Sequence, residues 1–190
     1  MKVVLASSSP RRFKLLSEEG FEFKVVPPEI DETKIGDELP EDYVCRLARS
    51  KAQAIDNGDS LVIGADTVVV LGDEFLNKPA SKLEARVTLE KLSGQTHVVY
   101  TGLCLVCSNC GRTNVDYDKT TVHFNVLTNS AILEYIESGE PLDKAGAYGI
   151  QGMGAFLVNK IDGHLDTVIG FPMSLLRKML EGHRECLKKV

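Results

Sequence analysis

Lys2-Val3-Val4-Leu5-Ala6-Ser7-Ser8-Ser9-Pro10-Arg11-Arg12 is the stretch from which the fold is read. Lys2 to Ala6 is apolar enough for a buried strand. Ser9 is a natural helix N-cap, and Pro10 stands at the first helical position, where its missing N–H costs nothing. Phe13 and Leu16 give the following short helix an apolar side, and Gly20 closes it. A helix N-terminus carries partial positive charge and unpaired N–H groups, which suits an anion. Arg11 and Arg12 stand in that first turn, where cations are disfavoured unless something negative is bound. A merely solvated basic turn stays open as the alternative, because the dipole penalty is only about 0.3–1 kcal/mol.

Working outward, Phe21 to Val26 alternates and reads as a second strand, and Pro27 to Leu39 as an acidic loop. Pro40 begins a longer helix with Tyr43, Val44, Leu47, Ala48 and Ala52 on one apolar face, stopped at Asn57-Gly58. Leu61 to Leu71 reads as two strand-like stretches around Gly64-Ala65-Asp66. Ser81-x-x-Glu84 is a capping box that opens a helix ending near Gly94. His97 to Cys107 and Thr113 to Val126 predict two long strands joined by a polar turn. Thr128 to Ser138 reads as a helix, Ala155 to Ile161 as a strand and Pro172 to Glu181 as a final helix. Alternation of strands and helices, with a long hairpin in the middle, predicts an α/β fold built on a mixed sheet. There is no repeat and no linker-like stretch, so 1–190 is expected to form a single domain, at most two tightly joined lobes.

Composition narrows the function classes. The net charge of −5 argues against polymeric nucleic acid as a partner, since backbone phosphates call for a large basic surface. No apolar run reaches the roughly 18–20 residues of a membrane span. The polar Ser7-Ser8-Ser9 follows Met1 to Leu5 too soon for a signal peptide, so the expected location is the cytoplasm. Five cysteines, an odd number, do not suggest a disulfide framework. Cys104, Cys107 and Cys110 are spaced by three. Strand alternation sends Cys104 and Cys107 to opposite faces, and no fourth ligand completes a zinc set, so a strand and turn is the stronger reading.

Several residues can carry chemistry. Asp66 interrupts an apolar strand run, and an unpaired buried carboxylate costs several kcal/mol, so it belongs at a strand end or in a site. Asp31 and Glu32 in the acidic loop can join Asp66 in holding Mg²⁺ or Mn²⁺, hard cations that prefer carboxylate oxygens. Lys51 and Lys78 are each unremarkable surface charges when taken singly; together with Arg11 and Arg12 they can neutralise a triphosphate. The segment from Asp143 to Ala155 holds four glycines without the spacing of a dinucleotide fingerprint. It is either a structural glycine turn or a loop that lets backbone approach a ligand, with Gln151 offering both a donor and an acceptor. The four histidines are scattered, without metal spacing.

Leu5-Ala6-Ser7-Ser8-Ser9-Pro10-Arg11-Arg12, Asp31-Glu32, Arg46-Leu47-Ala48-x-x-Lys51-Ala52, Gly64-Ala65-Asp66-Thr67, Lys78-Pro79, Leu92-Ser93-Gly94 and the Asp143–Ala155 loop together resemble the Maf family, in order and over nearly the whole chain. The resemblance implies a Maf/inosine-triphosphatase-like mixed α/β fold of two lobes around a cleft. It implies a pyrophosphatase that needs a divalent cation and cuts a free nucleoside triphosphate to its monophosphate, and a homodimer. By position it makes Asp66 the general base and a metal ligand with Asp31. It places Ser7, Arg12, Lys51 and Lys78 near the phosphates, and gives Arg11, Thr67 and Gln151 the choice of nucleobase. Gly-Ala-Asp-Thr and Asp-Lys-Ala-Gly-Ala-Tyr-Gly-Ile-Gln-Gly resemble the dTTP/UTP branch. Gly163 to Thr167 departs from that branch, and the cysteine trio is no family motif. Two other readings stand beside this one: an enzyme for modified purine or methylated nucleotides, and a nucleotide-binding regulator of cell division without turnover.

Overall fold

The computed structural model describes residues 2–55 and 58–183. Seven strands form one mixed sheet: β1 (Lys2–Ala6), β2 (Phe23–Val25), β3 (Ser60–Leu71), β4 (Glu74–Leu76), β5 (Thr96–Cys107), β6 (Thr113–Phe124) and β7 (Val158–Asp162). Their order is β2-β1-β3-β5-β6-β7, with β4 paired to β3. The helices are α1 (Pro10–Glu18), α2 (Pro40–Gln53), α3 (Lys82–Leu92), α4 (Asn129–Glu137), α5 (Leu165–Ile169) and α6 (Met173–Glu181). The α/β class and mixed sheet expected from the sequence are therefore present. None of the described helices is long and apolar enough to cross a membrane.

The chain divides into two compact units. The first comprises Met1–Asp66, Thr101–Asp118 and Gly170–Val190; the second, Thr67–Tyr100 and Lys119–Ile169. In the first unit β1 pairs in parallel with both β2 and β3, in the register Leu5↔Val25 and Leu5↔Ile63. Parallel strands covered on both faces need apolar residues at every position, which is why Lys2–Ala6 and Leu61–Ile63 read as continuous apolar runs. Alternation sorts them. Val3, Leu5, Leu61, Ile63, Ala65, Leu103, Leu105 and Cys107 pack with Leu16 of α1 and with Met173, Leu176 and Met179 of α6. Val4, Ala6, Val62 and Cys104 pack with Ala48 and Ala52 of α2. Cys104 and Cys107 thus lie on opposite faces, as strand parity predicts.

The second unit has a single core. Val69, Leu76, Val99, Val122 and Phe124 from the strands meet Ala85, Leu89 and Leu92 of α3, Ile132, Tyr135 and Ile136 of α4, and Leu157. The Ser81 Oγ accepts from the Glu84 N–H at 3.1 Å, and the Glu84 carboxylate reaches back to the Ala80 N–H at 2.8 Å. The Ser81 half is the cap expected from the sequence, while Glu84 reaches the residue before the cap and not the N–H of Ser81 itself.

Two expectations need correction, and two elements were not foreseen. Ser60–Leu71 is one unbroken strand, not two stretches. Gly64 is there because α2 passes so close that a Cβ would lie 2.2 Å from the Ala48 carbonyl oxygen. The strand expected from Ala155 begins only at Val158, since Gly152–Leu157 is a 3-10 helix. Gly152 starts that coil at φ +67°. β4 returns from β3 through Gly72-Asp73, with Leu71↔Glu74 in register, and α5 had no counterpart in the sequence reading. α2 ends at Gln53; residue 57 of the expected Asn57-Gly58 stop lies outside the described residues, as does Cys186.

Candidate active site

β1 ends at Ala6, which is paired to Gly64, and Asp66 lies two residues further along β3. The sequence puts Asp66 at a strand end or in a site. β3 runs on past it, yet the neighbouring β1 has stopped, so the carboxylate stands at the carboxyl end of β1, where ligands gather in open α/β sheets. Parity then decides what it meets. Val62, Gly64 and Asp66 share the face covered by α2, and α2 carries Lys51. The Lys51 Nζ donates to Asp66 Oδ1 at 2.6 Å, and both side chains are under one tenth exposed. Gly64 gives α2 the close approach that brings this buried pair together.

Lys51 also reaches Glu32 Oε1 at 2.7 Å, so one ammonium bridges two carboxylates. Glu32 is held there by α2. Tyr43 Oη donates to the Glu32 carbonyl at 3.0 Å, and Arg46 donates to the Thr33 carbonyl at 3.1 Å while pairing with Glu38. Tyr43, Arg46 and Lys51, all on α2, fasten the acidic loop to it. Asp31 is exposed; its Oδ1 accepts the Thr33 N–H at 2.8 Å, and those Thr33 hydrogen bonds hold its carboxyl below the usual carboxylate value. Of the Asp31-Glu32 pair it is Glu32 that shares Lys51 with Asp66.

The first turn of α1 completes this group. The Ser9 Oγ caps the helix by accepting from the Arg12 N–H. The Ser7 side chain accepts from the Ser9 N–H at 3.1 Å and from Arg12 Nη1 at 3.3 Å. Arg12 also donates to the Ala65 and Gly170 carbonyls, both at 2.9 Å. These bonds tie the turn after β1 to the residue preceding Asp66. Burial pushes the Asp66 carboxyl above its ordinary value, with Lys51 and then Arg12 pulling it down and Glu32 pushing it up. A carboxyl in that position holds a proton more readily than an exposed aspartate, which is what a general base needs.

Ser7, Arg11, Arg12, Asp31, Lys51 and Asp66 all belong to the first unit, while Thr67, Lys78 and Gln151 belong to the second. Thr67 is bonded directly to Asp66 in the chain and is half-buried. Lys78 is exposed, next to Asn77, whose carbonyl accepts from the Gly146 N–H at 3.3 Å. Gly146 in turn packs on Val69, where a Cβ would lie 2.9 Å from the valine side chain. So β3, the Lys78 segment and the glycine-rich loop adjoin one another within the second unit. Gln151 is exposed in that loop. A groove of about 450 Å³, whose lining includes Arg49, Asp116, Lys178 and Met179, contains none of the site residues. Among the described residues no three His, Cys, Asp or Glu side chains are grouped to cage a metal ion.

Parallel strands covered on both faces, with a capped arginine-bearing turn and a buried carboxylate–ammonium pair at the end of β1, define an α/β protein with a charged site built on its first βα turn. A family model described as Maf-like protein matches residues 2–183. A dTTP/UTP pyrophosphatase of Caldicellulosiruptor saccharolyticus is 42% identical over 186 residues, 95% of this chain and 94% of that protein. Proteins of the same name from Desulfitobacterium hafniense and Shewanella oneidensis are 47% and 45% identical, covering 94% and 95% of this chain and 83% and 97% of their own lengths. The chain belongs to the Maf-like family.

Proposed function

We propose that the chain is a nucleoside-triphosphate pyrophosphatase that hydrolyses dTTP and UTP between the α- and β-phosphates, releasing the monophosphate and pyrophosphate. The observation that carries this reading is the buried Asp66 carboxylate held at 2.6 Å by Lys51, beside Arg12 at the end of β1. It is supported by relatives of 42–47% identity named dTTP/UTP pyrophosphatase.

A divalent cation suits the donor set. Glu32 and Asp66 supply hard carboxylate oxygens around Lys51, with Asp31 next in the chain, but not the three or more ligands of a protein cage. Mg²⁺ or Mn²⁺ bound through one or two carboxylates and the phosphates of a substrate fits such a set. When bound, it offsets phosphate charge and lowers the pKa of a coordinated water. Asp66 accepts the proton of the attacking water, and Lys51 and Arg12 fix the position of its carboxylate. Ser7 and Arg12, in the turn that opens α1, meet the phosphates, as does Lys78. Arg11, Thr67 and Gln151 select the base, on the family positions they match. Catalysis is then mostly positioning and charge stabilisation. The same reading places the enzyme in the cytoplasm, where free nucleotides are, and takes it to be a homodimer.

The test is a panel of UTP, dTTP, CTP and GTP with and without Mg²⁺ or Mn²⁺. The expected result is monophosphate and pyrophosphate from UTP and dTTP, with metal only. Orthophosphate with a diphosphate would contradict the bond assigned. Binding of nucleotides without turnover would favour a regulatory role instead.

A further inference from the structure

The loop that carries Gln151 is fastened to the core of the second unit by two buried hydroxyls and a buried histidine. His97, near the start of β5, is 1% exposed. Its Nε2 lies 2.7 Å from the Tyr148 Oη, which is also buried. The rings of His97, Phe124 and Tyr148 meet edge to face, with centroids 4.7–5.4 Å apart. The next residue, Gly149, donates its N–H to the Tyr135 Oη at 3.0 Å. Burial keeps His97 neutral down to about pH 4 and pushes the Tyr135 phenol up to about 12 and that of Tyr148 higher, so these are hydrogen bonds between neutral groups throughout the working range.

The backbone after Tyr148 folds back on the same anchor. A Cβ on Gly154 would lie 2.2 Å from the Gly149 carbonyl oxygen and 2.8 Å from the Tyr135 Oη. Gly149 and Gly154 therefore close a small turn against the Tyr135 hydroxyl, with Gly152 at φ +67° inside it. The Met153 N–H is taken by Glu140 Oε1 at 3.2 Å. Gln151 sits in this turn, exposed, and its amide has no hydrogen-bond partner among the described residues. Regular structure begins only after Gln151, with the 3-10 helix at Gly152–Leu157, so the place of that amide is set by the anchors beneath and by the start of that helix.

We propose that the His97–Tyr148 pair and the Tyr135 hydroxyl are positioning groups that determine nucleobase specificity, by fixing the Gly149–Gly154 turn and with it the Gln151 amide that reads uracil or thymine. This rests on the reading given above, in which Gln151 selects the base. A misplaced amide leaves polar groups of the base unpaired, and such losses discriminate strongly.

The test uses Tyr148→Phe and Tyr135→Phe, each of which removes one oxygen and keeps the ring, with His97→Gln and His97→Leu as a conservative and a disruptive pair. For each, kcat and KM are measured on UTP, dTTP, CTP and GTP, and binding of UMP and CMP is measured by calorimetry. The expected result is a loss of about tenfold in kcat/KM on UTP and dTTP, the worth of one hydrogen bond, carried by KM and by weaker UMP binding. CTP, GTP and CMP change little, and His97→Gln retains more of the preference than His97→Leu. A uniform loss on every nucleotide, or a lower Tm with an unchanged preference, would overturn the proposal and leave the cluster as core packing. If Gln151→Ala abolishes the preference and the tyrosine variants keep it, only this inference fails. A wild-type enzyme without preference for UTP and dTTP over CTP and GTP would overturn both it and the assignment of Gln151.

Discussion

Asp66 and Lys51 are buried together, and their separate removal has different consequences. Asp66→Asn keeps the shape and an acceptor for Lys51, which also retains Glu32. We expect near-native stability and a loss of turnover of about 100-fold or more, equal for all nucleotides, the scale of a missing general base. Lys51→Met leaves the Asp66 carboxylate buried without its main counter-charge, and should cost about 3–5 kcal/mol of stability besides activity. Paired chemical denaturation and steady-state kinetics separate the two; an active Asp66→Asn enzyme would remove Asp66 from the base role. His97 gives a pH dependence. Burial lowers its pKa from 6.5 to about 4. The folded state therefore keeps the ring neutral while the unfolded chain takes up a proton below pH 6.5. The stability from this group is complete above pH 6.5 and is lost as pH falls towards about 4, amounting to about 3 kcal/mol. Urea midpoints between pH 7 and pH 4 should fall less steeply for His97→Gln than for the wild type; parallel curves would contradict the assignment. At this scale the sequence shows Asp66 plainly, because a carboxylate in an apolar strand run must have a reason. It does not show that Glu32 shares the lysine, since the loop is placed by contacts from Tyr43 and Arg46 that no local pattern encodes.

The elements that carry the site are legible where periodicity is strong. α2 has its apolar face from Tyr43 to Ala52, and Ser9-Pro10 and Ser81-x-x-Glu84 announce helix starts. Gly64 and the 155–157 segment mislead because tertiary packing sets their backbone. Gly64 looks like a strand break and is a site of helix contact; Gly154 looks like a strand approach and lies in a coil closed on Gly149. β4 has a readable signal, the Gly72-Asp73 hairpin turn, with Gly72 at φ +60°. The contact at Gly64 is testable. A Cβ there would also lie 2.8 Å from the Ala52 N, so both obstacles nearest to it are α2 backbone. Gly64→Ala should destabilise the protein by about 1–3 kcal/mol, the usual cost of overpacking, and displace Lys51 enough to lower turnover. Unchanged stability and kinetics would mean that α2 yields without effect on the pair.

For the whole molecule, the first-half alternation of strands and helices and the central hairpin are enough to give the α/β class and the mixed sheet. Two joined lobes are within the sequence reading, but where the units divide is not readable, because β3, β5 and β6 are each continuous in sequence while their halves fall in different units. Cys104 and Cys107 illustrate the same point on a small scale: spacing alone suggests a common ligand set, and strand parity sends them to different cores. The function proposed for the molecule reduces to one chemical event, the attack of water on the α-phosphorus of a pyrimidine triphosphate with Asp66 as base. Turnover of UTP in ¹⁸O-labelled water, with the products resolved by ³¹P NMR, reads that event directly. The account predicts the label in UMP and none in pyrophosphate; label in pyrophosphate, or in orthophosphate released beside UDP, would contradict it.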